Sequence, residues 1–143
     1  MKVDNLVDML NDSIPELLDI DTLDVLDLGG EIPKMSGDLM ISSRLIFVEG
    51  ELVQQVASLW RQLKPGESAR CHMPPFGLRF YFKEKLILQA FLCWACDNMY
   101  IWQENNRFLS LYGVNLGQSS GNEMSYLLEN IMKQSRQEGK QIT

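Results

Sequence analysis

The sequence predicts an α+β fold: an antiparallel β-meander of about four to five strands, packed by an amphipathic helix over residues 49–64 and a C-terminal helix over 121–136. Three observations carry this. Runs of aromatic and branched residues recur between 69 and 112, the polar breaks between them are short, and a single apolar stripe precedes them. Short turns force antiparallel pairing, because a parallel return needs about a dozen residues or more.

Taken in chain order, Val3, Leu6, Val7 and Leu10 repeat at helical spacing behind Asp4, a residue able to cap, so a short helix near 4–12 is expected before Ser13-Ile14-Pro15 ends it. Between Glu16 and Leu28 acidic and apolar residues mix with both periods, and the pattern does not choose between strand and helix for 22–28. Gly29-Gly30, Pro33 and Gly37 then make a loop. Leu39, Ile41, Leu45 and Phe47 alternate loosely, which suggests a strand over about 39–47.

Val48, Leu52, Val53, Val56, Leu59, Trp60 and Leu63 fall on one face of a helix over 49–64, which Lys64-Pro65-Gly66 stops. Such a stripe needs a sheet to cover. The strands follow in Ala69–Met73, Leu78–Phe82, Leu86–Trp94, Met99–Trp102 and Phe108–Tyr112, with turns at Lys83-Glu84-Lys85 and at Gln103–Arg107. Ser120 and Glu123 have capping-box spacing ahead of Met124, Leu127, Leu128, Ile131 and Met132, which marks the C-terminal helix.

The 143 residues are read as one domain: an acidic segment 1–37, an α+β core 38–136 and a frayed tail 137–143. The longest apolar stretch, Leu86–Cys96, is interrupted by Gln89 and too short to span a bilayer, and the N-terminus lacks a signal peptide's apolar core, so a cytoplasmic protein without a membrane partner is expected. Three cysteines do not suit a secreted disulfide framework, so reduced thiols or a metal site are expected.

The net charge of −6 is unevenly placed. Asp4, Asp8, Asp12, Glu16, Asp19, Asp21, Asp24, Asp27 and Glu31 face only Lys2 within residues 1–31, which leaves the rest of the chain slightly basic. Nucleic acid is excluded as a partner by this balance, since phosphate contacts need a basic surface. A cluster of carboxylates instead steers association with a cationic surface. Asp4, Asp8, Asp19, Asp21, Asp24 and Asp27 are therefore the candidate partner-binding residues of a non-enzymatic protein-binding module. One form of such a module is an acidic inhibitor or immunity-type protein for a basic partner.

The densest unusual composition lies in Ala69–Tyr81 and Cys93–Asn98, which hold every cysteine and the one histidine. A hairpin centred on Glu84 places His72 opposite Cys96 and Cys71 opposite Asp97, at roughly 5 Å across the ladder. Cys71, His72, Cys93 and Cys96 are the ligand types zinc prefers, and zinc is the alternative cofactor reading to none. Against it, neighbouring strand residues point to opposite faces, so Cys71 and His72 do not readily share a metal, and Cys93 and Cys96 would need a turn at Trp94-Ala95. Cys93-Trp94-Ala95-Cys96 as a dithiol lacks the helix N-terminus that activates such thiols. A cysteine nucleophile with His72 as base lacks an evident orienting group except Asp97. The simpler reading is that the cysteines fill a half-buried sheet. Arg70 and Arg79 flank the loop and are expected to pair with a carboxylate, Asp97 being the candidate.

At these residues the sequence resembles an uncharacterised bacterial family with an Arg-Cys-His-x-Pro-Pro-Phe-Gly-Leu-Arg-Phe block and a Cys-Trp-x-Cys-Asn-Asn block about twenty residues later. The blocks read Arg70–Phe80 and Cys93–Asn98 here, with Asp97 where the family pattern has Asn. The resemblance spans about residues 48–112, leaves the acidic segment unmatched, and implies a grouping without an activity. The sequence leaves the oligomeric state open.

Overall fold

The computed structural model describes residues 14–31, 34–36, 39–42, 44–68, 74–103 and 110–138. The elements run β1 (Thr22–Asp27), β2 (Lys34–Ser36), β3 (Leu39–Ile41), β4 (Leu45–Glu49), α1 (Glu51–Arg61), β5 (Phe76–Phe82), β6 (Lys85–Cys93), β7 (Asn98–Gln103), β8 (Ser110–Gly113) and α2 (Ser119–Glu138). Six strands form one antiparallel sheet in the order β4-β1-β5-β6-β7-β8, and β2 and β3 pair as a separate hairpin. The α+β class and the meander β5–β8 are as expected from loop lengths. The sheet is larger than expected because β1 and β4 join the meander at its β5 side.

β1 resolves the ambiguous segment 22–28. Leu23 and Val25 are fully buried on the face that the helices cover, while Asp24 lies on the opposite face, so the carboxylate interrupts the apolar pattern without breaking the strand. The single strand expected over 39–47 is two strands. Between them, Ser42 Oγ is hydrogen-bonded to the carbonyls of Asp27 and Arg44, and the Asp27 N–H donates to Arg44 O (3.0 Å), which redirects the chain into β4. The expected strand 69–73 and the expected helix near 4–12 lie outside the described residues.

At the Lys83-Glu84 turn both residues have positive φ (51° and 69°), the conformation of a two-residue hairpin turn whose twist matches that of the strands. The Lys83 N–H donates to Asp21 Oδ2 (3.0 Å), which ties the turn to the segment leading into β1. The β5–β6 ladder runs in the expected register from Phe76↔Leu92 to Phe80↔Leu88 and then shifts, leaving Ile87 as a bulge.

Two layers enclose the main core. Val53, Val56, Ala57 and Trp60 of α1 and Met124, Leu128, Ile131 and Met132 of α2 pack on Leu23, Val25, Ile46, Val48, Leu78, Phe80, Leu88, Ala90, Leu92, Met99 and Ile101. Trp60 meets Phe80 edge-on at a centroid distance of 5.4 Å. The helix is shorter than its stripe because Gly50, at φ 82°, separates β4 from α1, and the last turn closes with the Gln62 N–H donating to Leu59 O (3.1 Å) and the Leu63 N–H to Trp60 O (3.0 Å). α2 begins at Ser119, so Ser120 is inside the helix, where its Oγ accepts from Gln118 Nε2 (3.3 Å) instead of capping it. A smaller cluster on the opposite sheet face joins Leu26, Leu28 and Phe91 to Met40 of the β2–β3 hairpin. No helix among the described residues is long and apolar enough to cross a membrane.

Candidate functional site

The cysteine region is built around the β6–β7 turn. Trp94 to Asp97 form that turn, Asp97 closing it at φ 50°, so Cys96 lies off the strand. Cys93 is a buried thiol at the end of β6, and Cys96 is disulfide-bonded. The expectation of reduced thiols therefore fails at Cys96, and a sulfur held in a disulfide is not a thiolate ligand. Cys71, His72 and Arg70 lie outside the described residues. Among the described residues no group of three or more His, Cys, Asp or Glu side chains is placed to hold a metal ion. The turn is anchored by packing: Trp94 donates from Nε1 to Gly121 O (2.9 Å) and meets Phe76 edge-on, and Asn98 Nδ2 donates to Ser68 Oγ (3.0 Å).

Among the described residues the acidic side chains do not form one face. Asp19 and Asp21 are exposed, and Asp21 receives the Lys83 N–H described above. Asp27 is half-buried, its Oδ1 accepting the Gly29 N–H (3.1 Å). Asp24 is buried, and the reason is Arg79, its direct partner in the β1–β5 register. Arg79 Nε and Nη2 both reach Asp24 Oδ2 at 3.1 Å, with the side chains only 10% and 11% exposed. The Arg79–Asp97 pairing read from the sequence is thus replaced by Arg79–Asp24, because alternation along β5 turns Arg79 to the face opposite the helices, where β1 lies beside it. Asp4 and Asp8 lie outside the described residues.

This ion pair belongs to a buried network that fixes the β2–β3 hairpin on the sheet. Tyr81 Oη donates to Asp24 Oδ2 (3.0 Å), Arg79 Nη1 donates to Met40 O (2.9 Å), and the Met40 N–H donates to Gln89 Oε1 (3.0 Å). Burial, followed by the Asp24 charge, pushes the Tyr81 hydroxyl up to about 12, so it stays a donor at any physiological pH. Both backbone groups of one residue are satisfied by side chains from the sheet, the arrangement of a latch.

A different feature is open to solvent. The two helices leave between them, on the outside of their layer, a groove of about 790 Å³. Leu59 and Leu127, both half-buried, and Tyr126, 70% exposed, give it an apolar lining. Gln55, Gln62 and Asn122 add amides, and the charged groups along it are both acidic, Glu51 at the start of α1 and Glu123 in the first turns of α2. Sequence reasoning missed it, although one signal was present: Tyr126 is a large aromatic outside the buried stripe of α2.

Compared with protein-family models, curated proteins and solved structures, the chain finds no match.

Proposed function

We propose that this protein is a non-enzymatic protein-binding module that takes a cationic amphipathic helix of its partner in the α1–α2 groove. The observation that supports it most is the combination of an outward-facing aromatic, Tyr126, with a groove whose charged lining is wholly acidic. Helix-in-groove recognition works by laying the apolar face of the guest on such a lining, with anchors about one turn apart. α1 is 11 residues long, roughly 16 Å, which matches about three turns of a guest helix. Glu51 and Glu123 then face the flanking basic residues of the guest. Rim carboxylates of this kind raise the association rate and set the sign of the partner's charge more than they raise affinity. The net charge of −6 favours the same partners at longer range. A partner that uses its basic helix on an anionic target is inhibited while the groove holds it.

The test uses a fluorescein-labelled helical peptide of about 18 residues built from Leu and Lys, read by anisotropy against the full chain. Micromolar binding is expected, reduced about tenfold or more by Tyr126→Ala and also reduced by Glu51→Lys and Glu123→Lys. Glu67→Lys, an equal charge change at an exposed position away from the groove, should leave binding intact. Equal losses in all three charge variants with no effect of Tyr126→Ala would show diffuse attraction and overturn the groove.

A further inference from the structure

β4 is an outer strand of the sheet, and among the described residues its one ladder neighbour is β1. The Asp27 N–H bonds Arg44 O, and hydrogen-bonded pairs in an antiparallel ladder recur at every second residue. In the observed register, Val25↔Ile46 and Leu23↔Val48, the backbone polar groups of Arg44, Ile46 and Val48 therefore turn toward β1. Those of Leu45, Phe47 and Glu49 turn off the sheet. Natural edges of this kind are blunted by lysine, proline, a bulge or a charge pointing inward. Leu45-Ile46-Phe47-Val48-Glu49 has none of these and carries a single charge at its last residue.

We infer that β4 is the pairing strand of a homodimer, joined antiparallel to the same strand of a second copy about a two-fold axis through Phe47. The occupant is chosen by self-complementarity. With the axis there, Phe47 lies opposite Phe47 of the second copy, Ile46 opposite Val48, and Leu45 opposite Glu49, so the strand's only charge faces an apolar residue and no like charges meet. The outward groups of Leu45, Phe47 and Glu49 supply about six main-chain hydrogen bonds in that register. Alternation is preserved across the junction: Ile46 and Val48 of both copies lie on the helix-covered face, and Leu45 and Phe47 on the other. The two six-stranded sheets become one continuous sheet, with both helical layers on the same side. Arg44 reinforces the strand from within each copy, its Nη2 donating to Met132 O of α2 (2.8 Å).

Sedimentation velocity on the full chain from roughly 1 to 200 µM reads the mass directly. A concentration-dependent dimer is expected. Phe47→Pro removes an outward N–H while leaving the β1 ladder whole, and Phe47→Lys sets two lysines against each other on the axis. Each should weaken the dimer at least tenfold while circular dichroism stays native. Amide exchange provides a reading that needs no variant: protection at Leu45, Phe47 and Glu49 should rise with concentration while that at Ile46 and Val48 stays constant. A monomer throughout that range overturns the inference. So does a dimer in which those three amides exchange freely, or one that survives Phe47→Lys.

Discussion

Replacing Arg79 by methionine removes one half of the buried ion pair and exposes what the network contributes. In the wild type, Arg79 satisfies Asp24 through two contacts of 3.1 Å and Met40 O through a third of 2.9 Å. The variant leaves the Asp24 carboxylate, 11% exposed, with the Tyr81 hydroxyl as its remaining side-chain partner among the described residues, and deprives Met40 O of its donor. Breaking one side of a buried pair costs about 3–5 kcal/mol, because the stranded charge has lost its compensation. For a chain of 143 residues that corresponds to a fall of roughly 10–15 °C in Tm. Asp24→Leu combined with Arg79→Met removes both charges, and replacing a buried pair by apolar groups of similar volume is often close to neutral. The double variant is therefore expected to recover about 2 kcal/mol or more relative to the sum of the single variants. Urea denaturation followed by tryptophan fluorescence, run on both singles and the double, closes the cycle. A loss below about 1 kcal/mol for Arg79→Met, or strict additivity in the double, would refute the reading of this pair as the fastening of the β2–β3 hairpin.

Two further outcomes follow from the same geometry. Gly113→Ala should be far more damaging than Gly77→Ala. A Cβ at Gly113 would collide with the Gly66 backbone carbonyl oxygen, whereas one at Gly77 meets the ends of the Leu28 and Met40 side chains at 3.3 Å, so parallel thermal melts should separate the two by several degrees. Tyr81, whose folded hydroxyl titrates near 12 against an ordinary 10, favours the folded state as long as it is protonated. That contribution is fully present below pH 10 and is lost as pH rises toward 12, which phenolate absorbance and stability measured across that window should both show, and Asp24→Asn should draw the titration downward.

The sequence revealed some elements and concealed others for identifiable reasons. β5 to β8 were legible because aromatic and branched runs alternate with turns too short for any but antiparallel pairing, and even the β5–β6 register followed from the position of Glu84. α1 was legible because its stripe is continuous. β1 was not, since Asp24 interrupts its alternation and the reason for tolerating it, Arg79, lies 55 residues away in a strand whose adjacency only the fold establishes. The same residue explains the misreading of Arg79: local proximity pointed to Asp97, while the sheet supplied a partner directly across the ladder. The acidic segment looked like one surface because a linear count ignores burial, yet Asp24 is enclosed and Asp27 receives a backbone N–H of its own turn. Of the groove, only Tyr126, the aromatic outside the buried stripe of α2, left a trace in the sequence. The groove itself depends on how α1 and α2 lie against each other, and each helix's own periodicity reports only the face it buries.

Binding in the groove is tested most directly by titrating the Leu/Lys peptide into the uniformly ¹⁵N-labelled full chain and following its amide spectrum. Progressive shifts should concentrate on Gln55, Leu59, Gln62, Glu123, Tyr126 and Leu127, with the amides of β6 and β7 unmoved. Shifts centred on Asp19 and Asp21, or scattered over the sheet with the groove residues silent, would contradict it and return the partner to the acidic segment.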